Sequence, residues 1–168
     1  MAFGKKKEVT PAQALVKMED LCSRSEHSSN EIRKKLVNMR LSGDAINKII
    51  DLLIDRRYID DHRYAIAYAR DKYRFSKWGR LKIRQALSLG GIPRNYINDA
   101  LEQIDQNSYI EILDNMLKAK ARSIKEGNTF EGRTKLYRFG LSRGFESNLV
   151  AASIKNNASK FWQECSID

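Results

Sequence analysis

The sequence is poor in the residues that mark several protein classes. Two cysteines in 168 residues, Cys22 and Cys165, stand far apart and outside any metal-ligand spacing, so a disulfide scaffold is excluded by count. They read as two incidental reduced thiols, with Cys22 at helical spacing from Met18 and partly buried. Nine glycines and two prolines are too few for a turn-rich all-β chain, which needs a break every 8–12 residues or so. No run approaches about 18 consecutive apolar residues, so no membrane span is expected. The opening Met-Ala-Phe-Gly-Lys-Lys-Lys has no apolar run behind its charges and is not read as a secretory signal. A soluble, cytoplasmic protein is the expectation.

Enzyme signatures are also missing. There is no glycine-rich dinucleotide or phosphate loop and no His-Glu-x-x-His pair, so neither a cofactor nor a metal is expected. The two histidines, His27 and His62, both fall at predicted helix starts. Asp60-Asp61-His62 has ligand-type residues, but three consecutive side chains at a helix start point in different directions. They read as an acidic helix N-terminus, which stabilises the helix dipole by roughly 0.3–1 kcal/mol per charge.

What is present is helical periodicity. Hydrophobic residues make up 42% of the chain, enough for a core. Thr10-Pro11-Ala12-Gln13 and Ser28-Ser29-Asn30-Glu31 have the form of capping boxes, the first with proline at the first helical position. Apolar stripes follow at Ala14, Leu15, Met18 and Leu21, then Ile32, Leu36 and Met39, then Ile46, Ile49, Ile50, Leu53 and Ile54. Gly43 is expected to end the second helix in a left-handed conformation.

This triplet repeats. Shifted by 51, Ile32, Leu36, Ile46, Ile50 and Leu53 fall on Ile83, Leu87, Ile97, Leu101 and Ile104. A further shift of 53 carries Ile83, Ile92, Ile97 and Leu101 onto Leu136, Phe145, Val150 and Ile154, and Gly91 onto Gly144; Leu87 falls on Gly140, where the third copy is degenerate. Ser76 and Gly90-Gly91 are read as the ends of a helix in the second unit, and Ser108 to Glu111 as the capping box that opens the third. The expected fold is all-α, an elongated tandem array of three three-helix, helix-turn-helix-like repeats. The division is a basic tail over 1–10, repeats over 11–59, 60–106 and 107–157, and a tail over 158–168. In that tail Phe161-Trp162 has the option of packing back on the body.

Charge is the other strong signal. Lys and Arg number 31 against 21 Asp and Glu, a net charge of +10. Each repeat has nine basic residues, against seven, six and five acidic ones in turn, so the excess grows along the chain. From Arg63 to Arg94 nine basic residues face one acid, Asp71, and are interleaved with Tyr64, Tyr68, Tyr73, Phe75 and Trp78. Tyr64 and Tyr68 lie on their helix's apolar stripe and are read as core. A basic strip on a helical array points to a polyanion, with exposed aromatics able to stack on unpaired bases. The candidate contacts are exposed cations: Arg33, Lys34, Arg70, Arg74, Arg80, Lys82, Arg84, Arg133, Lys135 and Arg138. The run Lys5-Lys6-Lys7 reads as a solubilising tail.

His27 to Leu36 resembles the first-unit motif of the RecX regulatory proteins. Tyr58-Ile59-Asp60-Asp61-His62-Arg63-Tyr64-Ala65 resembles their junction between units one and two, and Trp78 to Leu87 with Gly91-Ile92 their second-unit motif. Together these cover most of residues 24–104. The family often has glycine before the junction, where this chain has Arg57, and an arginine three residues before Ser28, where this chain has Ser25 with Arg24 beside it. The resemblance implies tandem three-helix units and a function that composition does not reach: a modulator, usually an inhibitor, of the recombinase RecA. Such a protein docks along the groove of the RecA filament on single-stranded DNA and lowers its ATPase, strand-exchange and co-protease activities, which regulates DNA repair, recombination and the SOS response. In that picture the modulator has no catalytic residues; separately, this chain is expected to be a monomer. A different class, a helix-turn-helix transcription regulator, would instead read duplex DNA through Ala45, Asn47 and Lys48 or Arg94, Asn95 and Asn98.

Overall fold

A computed structural model describes residues 8–163. Among them are nine α-helices and no strand: α1 (Pro11–Arg24), α2 (Ser29–Asn38), α3 (Gly43–Asp55), α4 (Asp61–Arg74), α5 (Arg80–Leu89), α6 (Arg94–Glu102), α7 (Gln106–Ala121), α8 (Phe130–Ser142) and α9 (Ser147–Gln163). The helices pack chiefly within consecutive triplets, and the main helix-on-helix contact between triplets is α4 with α7. This is the tandem helical array the periodicity predicts.

The first two capping boxes form as read: Thr10 and Ser28 each accept from the amide three residues on, and Gln13 and Glu31 accept in return. The repeat register also appears in the backbone. Arg40, Gly91 and Gly144 occupy equivalent positions, and all are left-handed, at φ 61°, 80° and 84°. Gly43 therefore does not end α2. Arg40 takes that conformation, and Gly43 is the first residue of α3 behind the Ser42 cap. Where the family often has glycine, Arg57 is likewise left-handed, at φ 60°. The degenerate Gly140 has a packing reason: a Cβ there would lie 2.7 Å from Val150 Cγ1, so the valine packs on the α8 backbone and leaves no room for a side chain.

Three other boundaries differ from expectation. Ser76 is not the cap of α5; Gly79 is its N-cap, without a side-chain hydrogen bond. α7 opens at Asp105, whose carboxylate accepts from Ser108 N at 2.8 Å, so the Ser108 box does not form. That bond holds the Asp105 carboxyl below its usual range. The tail expected from Ala158 is helical to Gln163, because Ala158 and Phe161 are buried. The Lys5–Lys7 run and Cys165 lie outside the described residues.

The two junctions differ in kind. The second and third triplets share one apolar core, in which Tyr73, Tyr109 and Phe145 meet ring to ring. The first triplet has its own core around Ile32, Leu36, Ile50 and Leu53, with Cys22 against it. Burial pushes the Cys22 thiol up. The first triplet meets the second through polar contacts. Ser29 N donates to Asp61 Oδ1 (2.7 Å), Tyr64 Oη to Glu31 Oε1 (3.0 Å), Asn30 Nδ2 to Gly90 O (3.0 Å) and Arg63 Nε to Glu26 Oε1 (2.6 Å). Because such bonds contribute about 1 kcal/mol each while a shared core contributes far more, the first triplet is expected to open separately. In native-state hydrogen exchange, Asp61→Ala with Tyr64→Phe is expected to speed exchange in α1–α3 roughly tenfold and leave α7–α9 unchanged. Equal acceleration in both would mean one cooperative body.

Candidate functional site

The seam between the second and third triplets begins with a helix that lacks a cap of its own. The first amides of α5 are satisfied from the third triplet: Gly79 N donates to Arg143 O (2.8 Å), Arg80 N to Tyr109 Oη (2.8 Å) and Leu81 N to Gly144 O (3.0 Å). Tyr109 Oη in turn donates to Glu146 Oε2 at 2.7 Å. Burial first, and the Glu146 carboxylate second, push the Tyr109 phenol far up, so it remains a neutral donor.

Arg80 belongs to this seam and is not the exposed cation the sequence suggested. Its side chain is 20% exposed, and its guanidinium lies 4.0 Å from the Tyr109 ring centroid. It also donates to Gln106 Oε1 (2.9 Å) and stands 3.4 Å from Glu146 Oε1. Arg84, one turn on, is exposed and donates to Asn98 at 2.7 Å. Removing Arg80 leaves the Glu146 carboxylate half-buried with one partner fewer. Arg80→Ala is expected to lower stability by about 2–4 kcal/mol in urea unfolding, and Arg84→Ala by less than about 1 kcal/mol. Equal losses would contradict this assignment.

The remaining candidates separate by their partners. Arg33 and Arg84 occupy equivalent places, donating to Asn47 (2.8 Å) and Asn98 (2.7 Å) of the next helix. Lys135 pairs with Glu126 and with Glu131, and Arg133 donates to Asn128 at 2.7 Å. Lys34, Arg70, Arg74 and Arg138 are exposed, with Arg74 over the Tyr73 ring and Arg70 beside Asp71. Asp60, Asp61 and His62 diverge. Asp60 caps α4, Asp61 reaches Ser29, and His62 lies against the Tyr96 ring with Nε2 3.3 Å from Asp99.

The densest concentration of cations lies on α4, the α4–α5 loop and the start of α5. Trp78 is half-buried, and two ammonium groups sit over its ring, Lys72 at 4.9 Å and Lys82 at 4.8 Å. Lys72 is also 5.2 Å from the Tyr68 ring. With its ring so occupied, Trp78 presents two cations rather than an open stacking face. Phe75, 79% exposed at the end of α4, is the aromatic of the strip that projects into solvent. Lys72 belongs to the basic strip but was not among the candidate contacts. Its place beside Trp78 arises from the turn at Lys77, left-handed at φ 54°, which folds the loop back on α4. Arg143 fixes that turn from the third triplet through Ser76 O and Lys77 O.

Residues 60–101 match the family description "RecX, second three-helix domain". Over 149 residues the chain is 30% identical to the regulatory protein RecX of Neisseria meningitidis serogroup C, covering 86% of this chain and 91% of that one. The chain belongs to the RecX family. A Clostridium botulinum RecX (strain Eklund 17B) is 30% identical over 130 residues; the match takes in 76% of this chain but only 60% of that longer protein. A crystal structure of regulatory protein RecX superposes with a TM-score of 0.77 at 28% identity, over 87% of this chain and 71% of that one. RecX from Lactobacillus salivarius shares the fold, with a TM-score of 0.78 at 24% identity, over 87% of this chain and 95% of that one. The RecX fold is thus the all-helical array described above, and these relatives are named regulatory proteins.

Proposed function

We propose that this RecX-family chain docks on a RecA-type recombinase filament assembled on single-stranded DNA and lowers its ATPase, strand-exchange and co-protease activities. It does so as a cytoplasmic monomer, without an active centre of its own. The observation that carries this reading is the Lys72–Trp78–Lys82 cluster at the middle of a tandem array whose relatives are named regulatory proteins. A filament groove is long and repeats its surface, so successive triplets can meet successive subunits and multiply weak contacts. The net charge of +10 speeds approach to the nucleoprotein.

Against the transcription-regulator reading stand Asn47 and Asn98, two polar residues of the would-be recognition helices. Both are held by arginines of their own triplet. The test is the DNA-dependent ATPase of a RecA filament, with and without this chain, at several salt concentrations. Inhibition at substoichiometric ratios is the expected result. No inhibition, with tight binding to one duplex sequence, would establish the other reading.

A further inference from the structure

Beside the cationic cluster lies a groove that differs from it in chemistry. Ile112, Asn115, Met116 and Ala119 of α7 and Phe139 of α8 line it, with a volume of about 390 Å³. Lys120 and, from the α4–α5 loop, Lys77 complete the lining. The surface inside is mostly carbon, and no carboxylate lines it. Ile112, Met116 and Phe139 are each partly buried against the core shared by the second and third triplets, so the floor is anchored while its upper surface stays open.

We infer that this groove seats an acidic protein segment anchored by one large apolar side chain. The inference rests on the proposed docking to a nucleoprotein filament, and it assigns this face to the protein component rather than the DNA. Three observations support it. First, the lining offers apolar area to an inserted side chain, and Met116 adapts to its shape; burying such a side chain is the main driving force available there. Second, both charged lining residues are lysines, so carboxylates flanking the anchor are attracted and a basic segment is repelled. Third, the groove is poorly made for a nucleobase. Stacking needs an open ring face, and the Lys120 ammonium already sits 5.3 Å over the Phe139 ring. Asn115 is the one side-chain amide lining it to read a base edge.

The turn that brings Lys77 to the groove is the turn that brings Trp78 between Lys72 and Lys82. The loop therefore separates two neighbouring surfaces, a phosphate-type one of paired cations and an apolar one with a cationic rim. A target that combines phosphates with acidic protein surface can engage both.

The four methionines provide a direct readout, since Met116 is the one in the groove. With the full chain labelled at its methionine methyls, a peptide carrying leucine and phenylalanine among glutamates is expected to shift Met116 and leave Met18 unchanged. The same peptide with serine at both apolar positions, and a thymidine oligonucleotide, are expected to leave Met116 unmoved. Ala119 is exposed, so Ala119→Trp fills the groove without disturbing the core and is expected to abolish the shift. Lys120→Gln is expected to weaken the peptide at least fivefold at low salt and less at high salt. A Met116 shift from the oligonucleotide alone, or from neither probe at millimolar concentration, would overturn the inference. In the filament ATPase assay, wild-type inhibition with full inhibition by Ala119→Trp would overturn the groove assignment and leave the proposed function standing. Absence of wild-type inhibition would overturn the function, and the methyl shifts would then decide the groove by themselves.

Discussion

Replacing Gly79 with alanine is expected to separate the second and third triplets, at a loss of about 3–5 kcal/mol in urea unfolding. Gly79 and Gly144 face each other across the seam. A Cβ on Gly79 would fall far inside contact distance of Gly144 O, Gly144 C and Phe145 N, all backbone atoms that no rotamer change can move. Those atoms are fixed twice over. Phe145 is fully buried in the shared core, and the carbonyls of Arg143 and Gly144 accept the first amides of α5. Relieving the clash means opening the seam, which breaks those bonds and uncovers Tyr109. Gly144→Ala is expected to be as severe, because its φ of 84° is left-handed and its Cβ would lie 2.6 Å from Lys82 N. Two other glycines are controls. Gly91→Ala shares the left-handed strain but meets only the Asn30 side chain, at 3.4 Å, and is expected to lose about 1–2 kcal/mol. Gly43→Ala has nothing within 4 Å and an ordinary helical position, and is expected to gain about 0.5–1 kcal/mol. A Gly79→Ala protein within 1 kcal/mol of wild type would refute this account of the seam.

The same seam explains which features were legible in the sequence. Much of what local chemistry sets was: the core stripes, the 51- and 53-residue register, the boxes at Thr10 and Ser28, and the acidic start of α4. In each case the partners lie within one turn or one repeat. Two of the failures were set by a different triplet, whereas the Ser108 box failed locally, because Asp105 three residues earlier takes the Ser108 amide. Ser76 looked like a cap because a serine preceded a helix, but the helix opens at Gly79 and takes its acceptors from residues 143 and 144. Arg80 looked like its neighbours Lys82 and Arg84 on a basic helix, yet the Tyr109 ring and Glu146 draw it inward. Gly43 was misread for a local reason: glycine usually occupies a left-handed position, and here Arg40 holds it. The alignment of residues 40, 91 and 144 was a signal already present in the repeat, and it places the left-handed residue correctly.

The second large effect concerns the cluster on Trp78. In the proposed function Lys72 and Lys82 each meet a phosphate of the single strand or a carboxylate of the recombinase. A phosphate contact on single-stranded DNA contributes about 0.7 to the slope of log affinity against log salt. Lys72→Gln with Lys82→Gln is therefore expected to flatten that slope by about 1.4 and to weaken oligonucleotide binding roughly 20-fold at 0.1 M salt. Both glutamines keep an aliphatic stem over Trp78, so helix content is expected to hold and the urea midpoint to fall only slightly. Trp78→Ala leaves both charges but removes the ring that gathers them, and is expected to keep the slope while lowering affinity at every salt concentration. Phe75→Ser separates stacking from charge. With its ring 79% exposed and touching no core, any loss it causes reflects contact with the target. Lys135→Gln is the matched control, a cation of the third triplet already paired with Glu126 and Glu131. Should the double lysine variant retain the wild-type slope while Lys135→Gln flattens it, the polyanion runs over α8, and the cluster serves only to hold the α4–α5 loop in place.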